Sequence, residues 1–165
     1  MENRPIIKIQ ENSFQKLINR LSLLLIGLSA IYIVFIYHKL PNRIPIHFNF
    51  MGDVDNWGPK WFIFILWGVG LLIYFLYSKT QSIPHKFNYI VKITEQNAER
   101  QYKLALKMMS FLKFEVIILI SYLLWSVVQN ALNTVNQLDN YVMIFFVICI
   151  FITLVFYMLK SRKYR

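Results

Sequence analysis

At 165 residues the chain has the length of one domain, yet 57% of it is hydrophobic, its mean hydropathy is +0.46 and its formal charge is +10. Too few polar groups remain to cover a soluble surface, and the basic residues flank apolar runs rather than interleave with aromatics, which points to anionic lipid and away from nucleic acid. The single cysteine, Cys149, excludes an intrachain disulfide and a thiolate metal cluster and reads as a small apolar packing residue.

The apolar runs predict transmembrane helices over residues 14–38, 60–78, 107–128 and 141–160. Each approaches the roughly 20 residues that cross a hydrocarbon layer as a helix. The expected fold is therefore all-α: one integral membrane domain over residues 1–165, a polytopic four-helix transmembrane bundle. A short irregular extracellular loop over 39–59 and a cytoplasmic amphipathic extension of the third helix complete it.

In chain order, Met1 to Lys16 is a mildly basic tail in which Ile6, Ile7 and Ile9 could seed an interfacial turn. Asn12-Ser13 is a polar cap, and Arg20 lies where a long basic stem can snorkel to the headgroups. The first run is too long for a secretory leader and ends in bulky Tyr37-His38-Lys39, so it reads as a retained anchor. Gly27, Ser29 and Ala30 supply a small-residue patch suited to close helix approach in lipid.

The polar stretch Leu40 to Lys60 is the one place where His, Asp, Asn, Trp, Pro and Gly crowd together. Pro41 and Pro45 oppose a helix there. Alternation through Ile44, Ile46, Phe48 and Phe50 predicts a short extended segment with one apolar side. Gly52, Asp53, Asp55 and Asn56 turn the chain; Trp57 and Trp61 suit the bilayer boundary, and Pro59 the first turn of the second helix. Once that turn forms, His47, Asp53 and Asp55 could meet, a donor set that suits a divalent metal. The same carboxylates equally suit backbone N–H groups in a turn, and no independent third ligand is specified by spacing. Asn42 and Asn49 carry the same two readings, ligand recognition or satisfaction of irregular backbone. No cofactor is expected.

After the second span Ile83-Pro84 interrupts regular structure and His85 to Ile93 partly alternates. A helix beginning after Thr94, with Glu95 at its start, carries Ala98, Tyr102, Ala105 and Met109 at helical spacing into the third span, as an interfacial anchor or a partner-binding face. Inside that span stand Lys113 and Glu115, which cannot face each other at i,i+2. Lys113 can snorkel to the cytoplasmic surface. Glu115 points into the bundle or an aqueous cleft, either as a structural acid near Arg20 or Ser22 or as part of a proton or substrate path. The last hairpin, with Asn133, Asn136, Asp139 and Asn140, is flanked by interfacial Trp125 and Tyr141.

Basic residues set the orientation. Four Lys/Arg lie in the amino tail with Arg20, three around the first loop, six in Lys79 to Lys107, none in Gln129 to Asn140 and four in Lys160 to Arg165. That distribution predicts both termini and the middle loop in the cytoplasm, with the Leu40 loop and the last hairpin outside.

Leu40-Pro41, Ile44-Pro45-Ile46-His47-Phe48-Asn49, Gly52, Asp55, Trp57-Gly58 and Lys60 together resemble the uncharacterised domain family 1648 (DUF1648) over about the first half of the chain. The resemblance implies a bacterial multi-pass cell-membrane protein similar to the amino-terminal part of SdpI-type proteins, which are associated with immunity to a secreted killing peptide and with signalling to immunity genes. SdpI-type proteins carry further carboxyl-terminal spans, whereas four are expected here. The positions carried over are Pro45, His47, Asn49, Gly52, Asp55, Trp57 and Gly58, and no catalytic role comes with them.

The chain shows no Gly-rich phosphate cradle, no Gly-x-Ser-x-Gly turn and no paired catalytic acids, so it is expected not to be an enzyme. The expected partners are the lipid bilayer and a secreted peptide or membrane protein, with self-association compatible. The expected function is peptide-toxin immunity or membrane-stress sensing. The alternatives are a small transporter or transporter accessory, motivated by Glu115, and a non-catalytic scaffold.

Overall fold

The computed structural model describes residues 4–135 and 137–165; the start of the amino tail and Asn136 lie outside the described residues. Four long helices dominate it: α1 (Ser13–Ile36), α2 (Phe62–Thr80), α3 (Ala98–Ala131) and α4 (Asn140–Lys163). All four are long and apolar enough to cross a membrane, so the protein is a multi-pass membrane protein built as a four-helix bundle. The helices alternate in direction. The α1–α2 and α3–α4 connections therefore share one end, while the amino tail, the 81–97 connection and the carboxyl terminus share the other.

α1 begins with a capping box: the Asn12 side chain accepts from the Gln15 N–H at 2.8 Å and the Gln15 side chain accepts from the Asn12 N–H at 3.0 Å. α3 starts at Ala98, three residues later than a Glu95 start implies. Thr94 and Asn97 bond reciprocally through their side chains and hold a turn ahead of the helix, leaving Glu99 as the first-turn acid.

α3 is the central post. It packs against α1, α2, α4 and the first strand, whereas α4 packs on α3. Lipid is as apolar as leucine, so helix association relies on close approach and interhelical hydrogen bonds. Gly70 provides the approach, since a Cβ there would stand 3.2 Å from Ile120 Cγ2. The Ser29 hydroxyl donates to Ser121 Oγ at 3.2 Å, and Trp67 Nε1–H donates to the Ile26 carbonyl at 3.1 Å. The small patch on α1 works differently from the sequence reading: Gly27 has open space around it and Ser29 acts through its hydroxyl.

The end bearing the termini has its own core. Ile7, Ile9, Tyr89 and Val91 pack against Ile93, Ala98 and Tyr102. The alternation in Phe87 to Ile93 thus appears as alternating burial without a partner strand. Arg4 Nη1 donates to the Phe87 carbonyl at 2.6 Å, and the Tyr102 hydroxyl donates to the Pro5 carbonyl at 3.0 Å. Burial, reinforced by the Tyr157 and Tyr102 phenols and opposed by Arg4, pushes the Tyr89 phenol above its ordinary range. It therefore stays protonated and donates to the Pro84 carbonyl at 2.9 Å. The Ala98 and Tyr102 face at the start of α3 is covered by its own chain, while Arg100 and Lys103 on the opposite side stay exposed.

Candidate recognition site

The stretch between α1 and α2 is a hairpin. β1 (Arg43–Phe48) pairs antiparallel with β2 (Val54–Pro59). The sequence reading anticipated the first strand but not the second. Pro59 closes β2 instead of opening α2, whose first residue is Phe62.

The inner side of the ribbon is seated on the bundle. Leu40 and Ile44 join Ile33 of α1, Ile63 of α2 and Leu124, Val127 and Val128 of α3 in one buried cluster. Pro45 is fully buried beside them. Asn42 places its backbone in the closure of the ribbon, its carbonyl accepting the Lys60 N–H at 3.1 Å, while the residue itself is exposed. Arg43 donates to the Trp57 carbonyl at 2.7 Å, and Trp57 is 39% exposed. Gly58 is buried against Ile46; a Cβ there would stand 2.9 Å from Ile46 Cγ2, so the absent side chain lets Ile46 lie across β2.

Two register irregularities, between Pro45 and His47 and between His47 and Phe48, leave Ile46 on β1 and Asp55 on β2 without a Cα partner. Bulges re-aim side chains. Here His47 Nδ1 and Asp55 Oδ1 meet at 2.6 Å on the solvent side, the side chains 65% and 43% exposed. Neither group is needed to fill the core.

Asn49 organises the tip. Its Oδ1 accepts the Met51 N–H at 2.8 Å and the Asp53 N–H at 3.0 Å, and its Nδ2 donates to Asp53 Oδ2 at 3.4 Å. Asn49 N–H also donates to the Asp53 carbonyl at 2.9 Å. Asp53 is therefore engaged with Asn49 and does not join His47 and Asp55. Among the described residues no three His, Cys, Asp or Glu gather to hold a metal, which corrects the proposed His47/Asp53/Asp55 set to a two-residue pair.

The tip is tied to the other connection at that end. Leu138 N–H donates to the Gly52 carbonyl at 2.7 Å, and Asn140 Nδ2 donates to the Phe50 carbonyl at 3.2 Å. Gly52 has φ +88°, and a Cβ there would land on the Leu138 carbonyl oxygen. Residue 52 is thus glycine for two reasons, backbone hand and space. Sequence reasoning treated the two connections as independent; the only local signal was a glycine in the turn. Beyond the tie, Phe50 and Met51 stand almost wholly exposed.

The intramembrane candidates separate. Arg20 is exposed on α1 and has no ion pair among the described residues. Lys113 is 0% exposed, its ammonium donating to Ser78 Oγ at 3.2 Å and lying 4.6 Å from the Tyr74 ring centre. Both groups belong to the last turns of α2. Glu115 turns to α4, where Thr153 Oγ1 donates to Oε1 at 2.6 Å, so its partner is neither Arg20 nor Ser22. Its Oε2 is buried without a hydrogen-bond partner among the described residues.

Residues 24–79, which take in most of α1, the ribbon and α2 as far as Lys79, match the family described as Domain of unknown function (DUF1648). No curated protein and no solved structure matches the chain. The likeness to DUF1648 thus covers part of the chain, centred on the ribbon.

Proposed function

We propose that the protein is a non-enzymatic recognition protein of the bacterial cell membrane, its ribbon facing outward to bind a secreted peptide, in toxin immunity or membrane-stress sensing. The observation that carries this reading is the His47–Asp55 pair, exposed on a ribbon fixed at both its base and its tip. A polar pair on a mobile loop loses binding energy to ordering, whereas one on a fixed hairpin is preorganised. Beside it, Trp57 offers an aromatic face and Phe50 and Met51 an apolar tip, the residue types that anchor peptide contacts. The tie from Gly52 to Leu138, two residues before α4, gives a bound ligand a direct mechanical link to the last span. The basic-residue distribution supports the outward orientation.

The transporter reading rests on the unpartnered Oε2 of Glu115. One experiment separates the two. Bacterial cells carrying the intact protein, His47→Ala, Asp55→Asn, Glu115→Gln or no protein are challenged with secreted peptides of neighbouring bacteria, and survival and depolarisation are followed at matched surface expression. Recognition by the ribbon is expected to protect only cells whose His47 and Asp55 are intact, with Glu115→Gln still protective. Because the pair is exposed, both ribbon variants are expected to keep near-parental thermal stability. Equal killing of all strains across the panel would overturn direct immunity; proton-coupled flux in sealed vesicles that disappears only in Glu115→Gln would favour transport.

A further inference from the structure

At the end of the bundle away from the ribbon, two neighbouring depressions run together along the α3–α4 seam. The first, of about 390 Å³, is ringed by the basic side chains Arg100, Lys103 and Lys107 of α3 and Lys160 of α4, with Asn12 and Tyr164 at its rim. The second, of about 290 Å³, is almost wholly apolar and shares Leu104 and Lys107 with the first. It continues toward the middle of the bundle between Met108 and Phe111 on one wall and Ile152 and Phe156 on the other. From Leu104 to Phe111 is two helical turns, about 10 Å along the axis.

The charges at the mouth are only partly neutralised by the protein. Glu99 engages Lys103 at 2.5 Å and also feels the charge of Arg100, whereas Lys107 and Lys160 form no ion pair among the described residues. Two of these cations are held at the lip of the apolar groove by aromatic faces. Lys107 Nζ lies 5.8 Å from the Phe14 ring centre and 6.0 Å from that of Phe111, and Lys160 Nζ lies 5.1 Å from that of Phe156. Phe14 belongs to the first turn of α1 and Lys160 to the last turn of α4, so the mouth sits where two spans leave the hydrocarbon and headgroup phosphates lie. The seam is open because α3 is the one long helix against which α4 packs extensively, and most of α4 is left exposed.

We infer that this seam is a binding site for one anionic glycerophospholipid, its phosphate among Arg100, Lys107 and Lys160 and an acyl chain in the groove beneath. Neither half suffices alone: a basic rim without a groove attracts any anion, and an apolar groove without charge accepts any lipid. Their continuity at Lys107 selects a ligand that is negative at one end and aliphatic at the other.

The test is native mass spectrometry of the purified full chain titrated with phosphatidylglycerol, phosphatidylcholine or glycerol 3-phosphate. Intact protein is expected to retain phosphatidylglycerol about ten-fold better than phosphatidylcholine, with no retention of glycerol 3-phosphate. Lys107→Gln combined with Lys160→Gln is expected to bring phosphatidylglycerol down to the phosphatidylcholine level. Met108→Trp, which fills the groove, is expected to weaken retention of both lipids, and circular dichroism checks that each variant keeps its helices. If Met108→Trp loses its helices, the double lysine variant decides alone. Equal retention of the two lipids by the intact chain, an unaltered preference in the lysine variant, or binding of glycerol 3-phosphate as tight as that of the lipid would each overturn the site.

Discussion

Gly52→Ala is expected to release the ribbon tip from the α3–α4 connection while leaving the bundle assembled. A left-handed backbone costs a non-glycine residue about 1–2 kcal/mol. The new Cβ also displaces the Leu138 carbonyl, against which Gly52 now lies, and disturbs the Leu138 N–H bond to Gly52 O at 2.7 Å. Losing that bond adds about 1 kcal/mol. The sum, about 2–3 kcal/mol, is of the same order as a local opening free energy, so it appears as fraying rather than global unfolding. Hydrogen-exchange mass spectrometry is expected to show faster exchange in 49–53 and at the Leu138 amide, with α1 and α3 protected as before. Unchanged exchange at Leu138 would mean the tie does not hold the tip.

The larger effect belongs to the opposite end. Gln101 and Ser161 are both 0% exposed and join α3 to α4. Gln101 Nε2 donates to the Ser161 carbonyl at 2.8 Å and the Tyr164 carbonyl at 3.1 Å, and Ser161 Oγ donates to Gln101 Oε1 at 2.7 Å. The two carbonyls lie at the end of α4 and its C-cap, where intrahelical donors become scarce. Gln101→Leu preserves bulk but removes the acceptor of the Ser161 hydroxyl and the side-chain donor to both carbonyls, of which Ser161 O keeps the Tyr164 N–H at 3.2 Å. Leaving buried polar groups unmade costs about 1–3 kcal/mol each, partly relieved here by water near the helix end. A net loss of about 2–4 kcal/mol is expected, read as a clear fall in melting temperature in detergent. Since α3 is the main support of α4, the loss should appear first as detachment of residues 157–164. A melting temperature equal to that of the parent chain would show that the apolar seam alone holds α4.

How far the sequence reaches can be judged element by element. The spans were legible because membrane helices need long apolar runs whatever their neighbours are, and the capping residue Asn12 was legible because capping is local. β1 was legible from its alternation. β2 was not: Val54 to Pro59 reads VDNWGP, a turn composition, and its extended state is imposed by pairing with β1. The His47–Asp55 pair was half legible, since both residues stood out, but the Asp55 bulge that separates it from Asp53 depends on cross-strand register. The tie between Gly52 and Leu138 was illegible because it joins two backbone groups distant in sequence. The partners of Lys113 were illegible for a similar reason. Snorkelling is the default for a lone lysine, and only the packing of α2 on α3 brings Tyr74 and Ser78 to it. Gln101 had no local signal, being one polar residue on a helix whose partner carbonyls come 60 residues later.

The outward-facing ribbon is the premise of peptide recognition, and cysteine labelling addresses it directly. In a Cys149→Ala background, a single cysteine is placed at Met51, 76% exposed at the ribbon tip, or at exposed Lys163 near the end of α4. Intact cells are then treated with a membrane-impermeant maleimide. Met51→Cys is expected to label in intact cells and Lys163→Cys only after permeabilisation. Labelling of Lys163→Cys in intact cells, with Met51→Cys protected until the membrane is opened, would contradict the orientation and remove the ribbon from contact with any secreted peptide.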